Sequence, residues 1–198
     1  MDATCGGSPT RAAADAMQFR PTAIADVVLL VPTVFEDERG YFMETYRADR
    51  FREAGIDHPF VQDNHSRSIR GTLRGLHYQL TLPQGKLVRA VTGEIFDVAV
   101  DLRRGSATFG RWVGERLSAE SRRQLWIPPG FAHGFYVISE WADVLYKCTD
   151  YYRADDQRCL RWDDETIAIE WPIGGGATPL LSPKDRAGVG FTEADTYP

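Results

Sequence analysis

Gly93 to Leu102 reads GEIFDVAVDL. Phe96, Val98, Val100 and Leu102 fall on one side of an extended chain, and Ile95, Asp97, Ala99 and Asp101 on the other. Successive side chains of a strand point to opposite faces, so this period of two predicts a strand with one face in an apolar core. Downstream, Gly110 to Leu117, Gln124 to Ile127, Gly134 to Ile138 and Val144 to Thr149 are further strand candidates, separated by Gly, Pro, Ser or Asp. Upstream, VVLLVP reads as a short buried-type strand ending at Pro32. Val34 to Asp37 and Tyr41 to Tyr46 flank a tight DERG turn, which gives an N-terminal hairpin, and Phe60 to His65 follows as another strand. Thr72 to Gln79 and Lys86 to Val91, divided by a turn containing Pro83 and Gly85, read as a second hairpin that sets His77 beside Lys86. Helical signals are few. Asp49 can cap a short helix through Ala54 that Gly55 stops, and Arg153 to Arg158 is a weaker candidate. Gly174 to Pro179 is a loop. Short strands at regular spacing with turn residues between them predict an all-β fold: an antiparallel β-sandwich or jelly-roll barrel, cupin-like, with a few short helices.

The chain has 198 residues and no second domain or repeat, so residues 17–198 are expected to form one domain. Residues 1–16, rich in Gly, Ala and Ser, read as a disordered extension, with order beginning near Asp26. A net charge of −5 argues against non-specific nucleic-acid binding. No apolar run approaches the roughly 18 residues of a membrane span, and the first residues lack the pattern of a signal peptide. Cys5, Cys148 and Cys159 show no CxxC spacing and read as reduced thiols of a cytoplasmic protein, not as a disulfide or zinc framework.

Four histidines are present. His58 lies beside Pro59 in a loop, and His65 ends a strand. His77 sits inside a strand, and His133 follows the turn of IPPGFA. A metal-binding cupin needs HxH, a following Glu and a later His around one ion. Here His77-Tyr78-Gln79 lacks the second histidine, which frees His77 and His133 for acid–base work. Removing a proton from carbon needs a base that titrates near neutrality, a carbonyl beside that carbon, and a cation where the enolate oxygen forms. His77 and Lys86 suit these roles, and a tyrosine such as Tyr146 can return a proton on the opposite face. Arg39, Arg70, Arg74 and Arg89 can fork onto phosphate, while no GxGxxG or GxxxxGK loop is present.

The stretches FEDERGYFMETY, FVQDNHSRS, GTLRGLHYQ, QGKLVRAVTGEIFDVAVDLRRGSATFG, PPGFAHGF, LYKCTDYY, IEWP and LSPKD run in order from Phe35 to Asp185. Together they resemble the dTDP-4-dehydrorhamnose 3,5-epimerase family, metal-free cupin-type enzymes of nucleotide-sugar metabolism. The resemblance implies that His77 removes protons at C3 and C5, paired with Asp185, that Tyr146 is the opposite-face acid and that Lys86 stabilises the C4 enolate. It places Arg39, Glu44, Gln62, Asn64, Arg74, His133 and Lys184 among substrate contacts, with Tyr152 stacking on thymine; Asp97 is expected to orient His133. It implies no metal or cofactor, a dTDP-sugar substrate, and a homodimer whose exchanged N-terminal strands carry Arg39 and Glu44 to the neighbouring site. The chain departs from the family at Gln157, where glutamate is usual, and in the turns WDDE (Trp162 to Glu165) and SATFG (Ser106 to Gly110). Other readings remain open at this point: epimerisation at a single carbon, a 3,4-ketoisomerase, a metal-dependent cupin enzyme, or a non-catalytic sugar-nucleotide binding module.

Overall fold

The computed structural model describes residues 17–198; the extension expected over residues 1–16 lies outside them. In chain order the elements are β1 (Gln18–Pro21), β2 (Val28–Val31), β3 (Val34–Asp37), β4 (Gly40–Met43), α1 (Ala48–Glu53), β5 (Gln62–Ile69), β6 (Leu73–Gln79), β7 (Lys86–Thr92), β8 (Glu94–Asp101), β9 (Trp112–Ser118), β10 (Gln124–Ile127), β11 (Phe131–Val137), β12 (Trp141–Cys148), β13 (Gln157–Cys159) and α2 (Pro183–Arg186). They form a six-stranded sheet, β1-β2-β10-β7-β12-β5, a five-stranded sheet, β13-β6-β11-β8-β9, and the β3-β4 ribbon. Neighbouring strands pair antiparallel throughout, as the turn-rich sequence predicts.

The two large sheets pack face to face. Val88, Ala90, Leu125, Ile127 and Val144 of one interdigitate with Ile95, Ala99, Val113, Phe135 and Val137 of the other. Each outer face is covered as well. Phe51 and Ile56, from α1 and its exit, pack with Met17, Leu30, Leu87 and Trp126 on the six-stranded side. On the five-stranded side Val98, Val100 and Leu102 meet Ile167, Phe191, Ala194 and Tyr197 of the C-terminal segment. Strand β8 is therefore buried on both faces, not one: Ile95 and Ala99 enter the central core while Phe96, Val98 and Val100 lie beneath the C-terminal segment.

Four local readings need correction. β6 and β7 are not a hairpin: β6 pairs with β11 and β13, whereas β7 pairs with β10 and β12. The segment Leu80 to Gly85 crosses the sandwich, a separation of roughly 10 Å. The backbone amides of Thr81 and Leu82 donate to the Asp156 carboxylate, which anchors the crossing. Arg153 to Arg158 forms a turn leading into β13 rather than a helix, because Gln157, Arg158 and Cys159 pair with Gln79, Tyr78 and His77. Asp49 is not the cap of α1. Arg47 occupies that position without a capping side chain, and Asp49 lies in the first turn paired with Arg47 at 2.7 Å. Regular structure begins at Gln18, earlier than Asp26, since β1 pairs along β2.

One close approach shapes the wall that carries His77. Gly75 has φ +128°, and a Cβ there would meet the Gly134 Cα at 2.5 Å and the His133 carbonyl oxygen at 2.8 Å. β6 and β11 can touch here only because both residues lack side chains, and the β6–β11 register shifts between His133 and Phe135. Gly75→Ala combines an unfavourable φ with overpacking and is expected to cost about 3 kcal/mol. Urea unfolding of the variant measures this; an unchanged midpoint would refute the close-approach argument.

Candidate active site

Inward-pointing residues of the two sheets are apolar at one end of the sandwich and polar at the other. At the polar end two adjoining cavities of about 280 and 480 Å³ share His77, Lys86, Tyr146, Tyr152 and Gln157 as lining. Register explains the grouping. On the five-stranded sheet His77 pairs with His133 on one side and Cys159 on the other, so all three side chains share a face. On the six-stranded sheet Lys86 pairs with Cys148, which pairs with Gln62, and Tyr146 pairs with Asn64. The lysine and histidine meet across the sandwich: Lys86 Nζ donates to the His77 carbonyl oxygen at 3.3 Å.

His77 Nε2 lies 2.7 Å from Asp185 Oδ1, a close contact that lacks hydrogen-bond alignment. This leaves Nδ1 as the ring nitrogen free to take a proton. Asp185 is buried and firmly held. It occupies the first turn of α2, where Ser182 Oγ donates to Oδ2 at 2.6 Å and the amides of Ser182 and Gly75 also donate to the carboxylate. Burial alone would raise the Asp185 carboxyl. His77, Ser182 and the Gly75 amide outweigh it and bring the carboxyl down to about 2.

A second pair stands beside the first. His133 Nε2 lies 2.8 Å from Asp97 Oδ1, and Asp97 Oδ2 is buried without a partner. Burial pushes His133 below its ordinary value, against the opposing pull of Asp97. Lys86 is likewise pushed down by burial, while Cys148 and Asp97 act in the other direction. Burial raises the Tyr146 phenol, which keeps it protonated on the wall opposite His77. A base, a desolvated cation and a protonated phenol around one cavity can move protons at carbons flanking a carbonyl.

At the cavity mouth Arg74 Nε donates to Ser68 Oγ at 2.9 Å, and the Tyr152 amide donates to Gln62 Oε1 at 2.8 Å. Tyr152 Oη donates to Gln157 Oε1 at 2.7 Å, and Lys184 Nζ also donates to that oxygen. Gln157 is thus a shared acceptor for both groups despite replacing a carboxylate. Arg39 and Glu44 do not reach this cavity. Arg39 is paired with Asp37 on the exposed β3-β4 ribbon, and Glu44 with Arg50.

Sequence reading missed two contributors. Gln79 is fully buried and positions the Tyr152 loop: its Nε2 donates to the Leu82 and Tyr151 carbonyls, and its Oε1 accepts from the Arg153 amide. Ser182 belongs to a capping box that fixes Asp185, and the Ser-Pro-x-Asp pattern is a legible signal for one.

The family model for dTDP-4-dehydrorhamnose 3,5-epimerase matches residues 21–193. The chain belongs to the dTDP-4-dehydrorhamnose 3,5-epimerase family. A member from Pseudomonas aeruginosa is 61% identical over 184 residues, covering 92% of this chain and 100% of the relative. A crystal structure from Legionella pneumophila, in complex with dTDP-4-keto-L-rhamnose, superposes with a TM-score of 0.87 at 51% identity, covering 90% of this chain and 95% of that one. A Streptomyces niveus relative named as a dTDP-4-dehydrorhamnose 3-epimerase is 41% identical over 181 residues, 90% of this chain and 86% of the relative.

The depressed Asp185 carboxyl has a consequence for stability. A carboxylate whose folded value lies below its unfolded one stabilises the fold fully above about pH 4, and that contribution is lost as pH falls through about 2. Asp185→Asn removes the titrating group. Its deficit against wild type, on the order of 2 kcal/mol near neutral pH, is expected to shrink towards pH 2. Thermal unfolding of both proteins across this range tests it; a deficit independent of pH contradicts the assignment.

Proposed function

We propose that the protein inverts C3 and C5 of dTDP-4-dehydro-6-deoxy-D-glucose to give dTDP-4-dehydro-L-rhamnose, the carrying observation being the His77–Asp185 pair on one wall of the cavity and Tyr146 on the other. The substrate's C4 ketone acidifies the hydrogens on both neighbouring carbons. His77, held through Nε2 by Asp185, takes a proton at C5 or C3. The carboxylate favours the imidazolium that results. Charge moves to the C4 oxygen, where the Lys86 ammonium neutralises it. Desolvation makes that interaction stronger than it would be in water. Tyr146 returns a proton from the far side, which inverts the carbon. His133, oriented by Asp97, lines the same wall. The steps require neither a metal nor a redox cofactor.

The dTDP moiety is assigned to Arg74 and Lys184 for the diphosphate and Tyr152 for the thymine, with Gln62, Asn64 and Gln157 as polar contacts. Residues 17–198 act as one domain of a cytoplasmic enzyme; among the described residues no helix is long and apolar enough to cross a membrane. The working form is a homodimer in which the β3-β4 ribbon crosses to the partner, bringing Arg39 and Glu44 to its site. The exposed Phe35, Tyr41 and Phe42 of this ribbon, at 50, 57 and 71%, support that exchange. Inversion at one carbon is the second reading, favoured by the Streptomyces niveus relative's name.

Turnover in deuterated water is expected to label both C3 and C5; label at C3 alone would establish the single-carbon reading instead. His77→Ala should lose about 10²–10⁴ in kcat while still binding dTDP, and full activity would remove His77 as the base. Phe42→Asp should shift the protein towards monomer in light scattering and lower turnover with it. A monomeric wild type, or a fully active monomeric variant, would contradict the exchange.

A further inference from the structure

We propose that His77, Cys159 and Asp185 form a site for a soft divalent metal ion such as zinc, which enters between His77 and Asp185 and switches the enzyme off. These residues offer an imidazole nitrogen, a thiol sulfur and a carboxylate oxygen, all within 4.8 Å of one another. Among the described residues this is the one grouping of three such side chains. Antiparallel pairing of His77 with Cys159 fixes two of the ligands on a common sheet face. Around a tetrahedral zinc ion, ligand atoms of these types lie about 3.3–3.6 Å apart. The Nε2–Oδ1 contact, now 2.7 Å, opens by less than an ångström to admit the ion.

Independent features point to a ligand. His77 Nε2 is enclosed by protein yet makes no aligned hydrogen bond. The Asp185 carboxylate is braced by Ser182 and Gly75, the kind of outer-shell support that ligating carboxylates have. Cys159 Sγ has only a long contact, 3.7 Å, to the Leu160 carbonyl. Nitrogen, sulfur and oxygen donors together favour zinc or cobalt over magnesium or calcium.

The proton balance is explicit. Metal binding expels the Cys159 thiol proton and any proton on Nε2, so affinity rises with pH. With Nε2 and the carboxylate both ligated, Asp185 no longer supports the ring as it takes a proton, and the proposed proton transfer stops.

The inhibition arm rests on the epimerase reading; the spectroscopic arm does not. Cobalt(II) titrated into the whole metal-free protein should produce a thiolate-to-cobalt charge-transfer band at one ion per chain, and zinc should abolish it. Zinc should lower kcat more than it raises KM, and a chelator should restore turnover. Cys159→Ser, nearly the same size, should keep metal-free turnover, lose the band and require about 100-fold more zinc for half-inhibition. Absence of the band in wild type overturns the site, as does unchanged zinc sensitivity in Cys159→Ser. A band from a protein without epimerase activity keeps the site and removes the functional reading.

Discussion

A carboxylate can stay ionised inside a protein only if donors meet its oxygens. Asp185 satisfies this condition: Ser182 Oγ, two backbone amides and His77 together surround it. The arrangement determines much else. The capping box positions the carboxylate, the Gly75 amide must face it, and the bare backbone at Gly75 and Gly134 lets β6 sit close enough to β11 for His77 to reach it. The result is an imidazole whose orientation is set before any substrate arrives.

The division of labour between sheets follows from the same packing. The five-stranded sheet carries His77 and the His133–Asp97 pair, and the six-stranded sheet carries Lys86 and Tyr146. In the proposed reaction a substrate between them meets a proton acceptor on one side and a proton donor on the other. The apolar end of the sandwich holds the two walls at fixed separation, so the hydrophobic core acts as the spacer of the reaction.

Much of this was legible in the sequence because alternation survives burial. The strand over Gly93 to Leu102 could be read from its period, and His77 and Lys86 from their chemistry, whereas Tyr146 alone reads as a packed aromatic and takes its role from the family resemblance. What could not be read was partnership. The segments holding His77 and Lys86 look like a hairpin because a Pro/Gly turn divides them; only the competing pairs with β11, β13, β10 and β12 put them in opposite sheets. The helical appearance of Arg153 to Arg158 lost to edge pairing with β6. The role of Gln79 was hidden because a buried glutamine contributes through backbone groups far away in sequence.

The C-terminal segment has a double duty. The stretch that lays Ile167, Phe191, Ala194 and Tyr197 over the five-stranded sheet also contains α2, and with it Asp185. During synthesis His77 is made early and its carboxylate partner late. The pair is therefore completed by the same segment that seals the last apolar face. Closure of the fold and assembly of the pair are one event.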